Sequence, residues 1–328
     1  MILVVERVRL SIGTAIEFGL ETGTSDPYFT TAFLMTYRDS KCESNCAFCP
    51  QARDSSSVSD RLSRISWPDY DIDKVIGAWP QRSQFRRICI QTLCYASVVE
   101  DVVDIVRRLR EVAQLPISVA IHPVDKDDLN RMRGAGVTNI GIALDASTPS
   151  LFEEIKGKRR ATPYRWDRHV NALREALEVF GRGKVTTHLI IGLGETEKEA
   201  ADVIQMMYGM GIGVGLFAFT SVRGTSLESS EPPSLSSYRR IQVVRHLTSK
   251  GVLRSKEIGT DDNGRLTIDI EHKSMLSALS SGEAFQVTGC EGCNRPYYNE
   301  RPRGPMYNYP RPLNRKEVLA AIKETQLV

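Results

Sequence analysis

Residues 32–52 read AFLMTYRDSKCESNCAFCPQA. A short apolar run, Ala32–Tyr37, has the look of a buried strand, and a polar loop then delivers three cysteines, Cys42, Cys46 and Cys49. Thiolates at spacings of four and three can bind one metal centre. A structural zinc would take a fourth Cys or His close by, and the next histidine is His122. Three protein ligands leave one position open, which suits an iron–sulfur cubane whose fourth iron binds something exchangeable. Zinc and inert thiols are the alternatives.

Outward from this loop, short apolar runs alternate with amphipathic stretches. The expected strands are 32–37, 87–92, 117–121, 139–144, 185–191, 213–219, 266–270 and 284–287, four to seven residues long and β-branched or aromatic, as buried parallel strands should be. Between them Val99, Val102, Val103, Val106 and Leu109 mark one helix face, and Trp166, Val170, Leu173, Leu177 and Phe180 another. Thr162 with Pro163 is the expected start of that second helix, and Thr196 to Glu199 is a capping box for the next. Eight alternations predict an α/β fold of the (β/α)8 barrel type, although periodicity alone also allows an open doubly wound sheet. The triplet then lies at the C-terminal mouth, where active-site loops gather. Residues 1–31 are expected as a helical extension, with Val4, Val8, Ile12 and Ile16 four apart; residues 32–293 as the barrel; and residues 294–328 as a Pro-, Tyr- and Arg-rich tail lying over it.

Composition narrows the class. The chain has 328 residues, 43 basic and 40 acidic, with 41% hydrophobic residues and 25% charged. That balance excludes a disordered or fibrous chain. No apolar run approaches the ~20 residues needed to span a bilayer, and the opening MILVVERVRL lacks the pattern of an export signal. The seven cysteines are bunched rather than spread as a disulfide framework, which predicts metal ligands in a reducing cytoplasm. After the triplet, four are left: Cys89 and Cys94 on and just beyond the second strand, and Cys290 with Cys293 after the last. Four is the number that closes a second cluster, and a small buried hydrophobe is the alternative for Cys89.

The C-x3-C-x2-C spacing, with the aromatic Phe48 before the last cysteine, resembles the signature of the radical S-adenosylmethionine (SAM) superfamily. CAFCPQA resembles the cluster loop of biotin synthase. Ile142–Ser147 is similar to the fourth-strand segment in which that family's Asp contacts the ribose of SAM, here Asp145. His188–Glu195 (HLIIGLGE) resembles the fifth-strand motif, with Gly192 and Glu195 in its conserved-type places and His188 replacing a glycine. Where the family carries a turn that holds the amino group of SAM, this sequence has Gln91 and Thr92. The resemblance implies a 4Fe-4S cluster on Cys42, Cys46 and Cys49 that binds SAM and releases a 5′-deoxyadenosyl radical. It also implies a second, auxiliary 4Fe-4S cluster on Cys89, Cys94, Cys290 and Cys293 that donates sulfur.

The run CEGCNRPYYNERPRGPMYNYPRP looks most like the archaeal-type, two-component lipoyl synthases. That resemblance implies a sulfurtransferase acting on an octanoylated carrier protein, such as a lipoyl domain or a glycine-cleavage H-type protein. It also implies a second lipoyl synthase component, an electron donor such as ferredoxin or flavodoxin, and no membrane. Other biotin synthase-like thiolation or mutase chemistry is the nearest alternative, and an Fe–S or zinc nucleic-acid-binding module the more distant one. The tail arginines and tyrosines suit a carrier domain, single-stranded nucleic acid or plain solvation. His122, at a strand end, is a further candidate for the site.

Overall fold

The computed structural model describes residues 5–301 and 303–327; Val4 of the expected N-terminal helix lies outside them. Its strands are β1 (Arg7–Leu10), β2 (Thr31–Thr36), β3 (Arg61–Leu62), β4 (Ile65–Ser66), β5 (Asp69–Asp71), β6 (Arg87–Gln91), β7 (Ile117–Ala120), β8 (Asn139–Gly141), β9 (Val185–Ile191), β10 (Gly213–Ala218), β11 (Ile258–Thr260) and β12 (Leu266–Ile268). The helices are α1 (Ile12–Glu17), α2 (Ile72–Gly77), α3 (Val98–Val112), α4 (Lys126–Ala135), α5 (Pro149–Ile155), α6 (Trp166–Phe180), α7 (Glu197–Met210), α8 (Leu235–Ser249), α9 (His272–Leu279) and α10 (Arg315–Thr325).

Eight strands form one mainly parallel sheet in the order β10-β9-β8-β7-β6-β2-β1-β5, the α/β architecture expected. Its membership differs in two places. β2 and β6 to β10 pair in parallel, whereas the other two members are β1 and β5, both antiparallel. Val8, expected on a helix, is thus a strand residue paired with Thr36, and the N-terminal helix shrinks to α1. A β-branched, alternating Arg7–Leu10 favours an edge place beside β2 over a helix that Gly13 would weaken.

The expected seventh and eighth strands lie outside the sheet. Leu266–Ile268 folds back on Ile258–Thr260 as a separate ribbon. Its turn explains why: the Asp261 carboxylate accepts from the amides of Asn263 and Arg265, and Gly264 takes φ 74°. Residues 283–285 form a single 3-10 turn. The chain after it crosses the open side of the sheet: Thr288 Oγ1 receives the Leu216 amide of β10, and Gly292 O receives the Thr30 hydroxyl at the start of β2.

The helices follow their sequence patterns. Val99, Val102, Val103, Val106 and Leu109 of α3 are all buried, and Thr196 with Glu199 completes the capping box of α7. α6 starts later than Thr162 suggested. The Thr162 hydroxyl instead donates to the carbonyls of Lys156 and Gly157, which shapes the turn between α5 and α6.

Candidate active-site cavity and its two thiol groups

The strands β2 and β6 to β10 wall one cavity of about 270 Å³, and all seven cysteines line it. They divide by depth. Cys42, Cys46 and Cys49 sit on the loop after β2, at the mouth. This loop is fixed by backbone bonds from Cys42 to Gln51 O, from Glu43 to Cys94 O and from Ala47 to Ile155 O, all 2.8–3.0 Å. Each thiol meets polar donors. The Cys94 amide points at Cys42 Sγ from 3.1 Å, the Ser44 hydroxyl lies 3.7 Å from Cys46 Sγ, and the Gln51 amide serves Cys49. Such N–H and O–H contacts favour thiolate ligands of an iron–sulfur centre.

Cys89, Cys290 and Cys293 converge at the other end, by the starts of β2, β6 and β7. Gln91 Nε2 donates to Cys89 Sγ at 3.1 Å and the Ser118 hydroxyl to Cys290 Sγ at 3.3 Å; Arg295 Nη1 lies 3.6 Å from Cys293 Sγ. Arg87, only 3% exposed, ties the 290–293 loop to the sheet through Glu291 O, Ser118 Oγ and Asn139 Oδ1. Among the described residues neither Arg87 nor Arg295 pairs with a carboxylate. Two such cations beside three thiols fit an anionic cluster, because a buried charge needs a counter-charge.

Cys94 does not join this deeper group. It lies beside Cys42, near Cys46, with its thiol against the Tyr164 hydroxyl. The reason is geometric: Cys94, three residues past the end of β6, has reached the mouth, while Cys89 points inward from mid-strand. None of the seven cysteines is disulfide-bonded, and among the described residues no group of three is set to hold a single metal ion.

The other expected residues divide similarly. Phe48, Gln91, Thr92, Asp145 and His122 line the cavity. The Thr92 hydroxyl is committed to Ala120 O and the Gln91 amide to Cys89. Asp145 takes φ 64°, which turns its carboxylate off the strand line; the Thr148 hydroxyl caps α5, leaving the Asp145 carboxylate out of that role. Gly192 and Glu195 do not line the cavity. The Glu195 carboxylate closes its own turn, accepting from the Gly192 amide at 2.7 Å and the Leu193 amide at 3.0 Å. Gly192 has φ 103°, and a Cβ there would meet Pro233 Cδ at 2.7 Å.

Five titratable lining residues escaped the sequence reading: Lys156, Tyr164, His188 (noted only for replacing a glycine), Arg295 and Tyr298. Lys156 sits in Lys156-Gly157-Lys158, which reads as a basic surface turn, yet it is 5% exposed and its ammonium meets Asp145 at 2.7 Å. Arg295 and Tyr298 were indistinguishable from the other arginines and tyrosines of the tail. Folding runs this stretch from the deeper end, where Arg295 lies beside Cys293, up to the mouth, where Arg64 at the tip of the β3–β4 hairpin donates to Tyr297 O and Glu300 O.

Burial sets the protonation states. It pushes the Cys46 thiol up to about 11, against the pull of the nearby Lys156 ammonium. Cys42, Cys49 and Cys89 are raised by burial too, the last also by Cys293 and Cys290. Burial opposes the charge on Lys156, but Asp145 and Cys46 outweigh it and hold its pKa above the ordinary value. His122 and His188 are pulled down to about 4 by burial, helped by Lys156 and Arg295 respectively, so both imidazoles are neutral at pH 7.

The Radical SAM superfamily model matches residues 40–207. Biotin synthase of Brachyspira hyodysenteriae is 24% identical over 235 residues, covering 69% of this chain and 66% of that protein. Biotin synthase of a Synechococcus species is 25% identical over 236 residues, covering 68% of each chain. The chain therefore spans about two thirds of these relatives' length, just under it for the first. Among solved structures, methylornithine synthase superposes with a TM-score of 0.52 at 18% identity, covering 71% of this chain and 66% of that one. The FeFe-hydrogenase maturase HydG from Carboxydothermus hydrogenoformans gives 0.51 at 16% identity, covering 69% and 53%. At such identities the two structures show a shared fold. No helix among the described residues is long and apolar enough to cross a membrane.

Proposed function

Since the chain belongs to the radical SAM superfamily and is related at low identity to biotin synthase, we propose that it inserts sulfur into protein-bound octanoyl chains, as a lipoyl synthase-like sulfurtransferase. The observation that carries this reading is the placement of two separate thiol groups on one cavity wall. Cys42, Cys46 and Cys49 would hold the 4Fe-4S cluster that binds SAM, and Cys89, Cys290 and Cys293 an auxiliary cluster as sulfur source, with Arg295 beside Cys293. A cluster held by Cys42, Cys46 and Cys49 would, with SAM, supply reductive sulfonium cleavage and hydrogen abstraction from an unactivated carbon.

The chain's own residues do the rest. Asp145 offers a carboxylate for the ribose diol. Phe217, Ile190, Met35 and Phe33 give the cavity apolar walls, which suits an alkyl chain and keeps water out. Tyr298, half-buried among them and edge-on to Phe217 at 5.9 Å, closes the mouth side. The tail's Arg and Tyr residues around this mouth would dock an acidic carrier domain. A two-component partner, a low-potential electron donor and a reducing cytoplasm complete the proposal.

One observation favours a second reading, thiolation or rearrangement of a small polar molecule. His188 presents a neutral imidazole to the middle of the cavity, edge-on to Phe217 at 5.0 Å, where an alkyl chain needs no hydrogen bond. Turnover separates the two. Reconstituted protein with SAM, a reductant, an octanoylated lipoyl-domain peptide and the partner component should give thiolated peptide. Iron and sulfide at two-cluster stoichiometry without any thiolated peptide would sink the octanoyl assignment and leave the small-molecule reading.

A further inference from the structure

The Asp145–Lys156 pair stands at the cavity wall with bonding capacity left over. Lys156 Nζ donates to Asp145 Oδ2 at 2.7 Å and to Ala143 O at 2.8 Å. An ammonium carries three donors and a carboxylate two acceptor oxygens. Among the described residues Asp145 Oδ1 accepts no hydrogen bond, and the third Lys156 donor finds no acceptor. The ammonium rests over the rings of Tyr164 and Phe152, 5.4 and 5.6 Å from their centroids, so its position is fixed from below as well.

Stability alone is a poor reason for such a pair. A buried ion pair is commonly no better than apolar residues of similar volume, because desolvation offsets the attraction. The pair is also coupled to the mouth loop: the Ile155 carbonyl, one residue before Lys156, accepts the Ala47 amide between Cys46 and Cys49. Whatever seats the loop seats the pair.

We propose that Lys156 is a positioning residue for the nucleoside part of SAM: it pins Asp145 Oδ2, so that Oδ1 accepts from one ribose hydroxyl while the third ammonium donor serves the adjacent hydroxyl oxygen. A carboxylate free to rotate would lose this two-point match to a vicinal diol. The inference rests on the superfamily reading of Asp145 and extends it to a residue that no sequence motif marks.

The test is equilibrium binding to anaerobically reconstituted protein, with SAM, 5′-deoxyadenosine and methionine titrated separately. Lys156→Met is expected to weaken SAM and 5′-deoxyadenosine about tenfold, the value of a charge-assisted hydrogen bond, and methionine by less than about twofold. Asp145→Asn should show the same selectivity, and the double variant should lose clearly less than the sum of the two single losses, since each side chain holds the other in place. Lys156→Arg should recover most of the nucleoside affinity. If Lys156→Met fails to retain iron, Lys156→Gln carries the same comparison. Equal losses for 5′-deoxyadenosine and methionine, or additive losses in the double variant, would overturn the role. Absence of SAM binding by the wild type would overturn the superfamily reading of the site itself.

Discussion

Replacing Arg87 by Met should separate the two thiol groups. The Arg87 side chain reaches Glu291 O at 2.8 Å, Ser118 Oγ at 2.7 Å and Asn139 Oδ1 at 3.1 Å from a site only 3% exposed. Three charge-assisted bonds are worth roughly 1.5–3 kcal/mol each, and their acceptors would be left unpaired. Against this, Met removes a buried cation that has no carboxylate partner among the described residues, which recovers part of the loss. We expect a net loss of about 2–4 kcal/mol in urea unfolding of the iron-free protein. The loss should be larger in the reconstituted protein, where a proposed anionic cluster would give the cation its partner. With the 290–293 loop untied from β6 and β7, iron should fall from about eight to about four per chain. Iron staying at about eight, with a stability change below about 1 kcal/mol, would refute both the peg and the deeper cluster.

Cys94→Ser should keep iron at about eight per chain, whereas Cys290→Ser should lose about four, because only the second belongs to the deeper group. Gly192→Ala should cost more than about 1 kcal/mol in denaturant unfolding, since it forces a Cβ onto Pro233 at positive φ. Arg64→Ala should expose the 295–301 stretch to limited proteolysis without changing the unfolding midpoint much, as it removes the guanidinium holding Tyr297 O and Glu300 O. The iron-free protein should lose stability at both pH extremes. His122 and His188 have folded pKa values depressed to about 4 from 6.5, so their contribution is present above 6.5 and lost as pH falls through 4. Cys46 is raised to about 11 from 9.0, so its contribution is full below 9.0 and lost as pH rises through 11. His122→Gln with His188→Gln should flatten the acid limb; an unchanged acid limb would refute the assignment.

Much of the fold was legible because local signals carried it. The six parallel strands between Thr31 and Ala218 are short apolar runs that read as buried strands, and the capping box at Thr196 marks a helix start by itself. Leu266–Ile268 misled because a hairpin strand and a buried parallel strand share one pattern over so few residues. Arg7–Leu10 misled because four-residue spacing of apolar side chains is compatible with both a helix and an alternating strand. The mouth triplet needed no fold at all, since its three cysteines lie within eight residues of contiguous chain.

What the sequence determined by itself is whatever depends on residues near one another in the chain: the Cys42–Cys46–Cys49 loop, the parallel strand–helix order and the superfamily likeness these carry. The tertiary structure decided what depends on where the chain returns. It brought Cys290 and Cys293 to Cys89 while sending Cys94 to Cys42, although Cys89 and Cys94 are near neighbours in sequence. It turned Glu195 into its own turn and drew Lys156 from an apparent surface turn to Asp145. A thiol's partners depend on which way its strand faces and where that strand ends, and those are set by pairing across the sheet, which spacing along the chain does not encode.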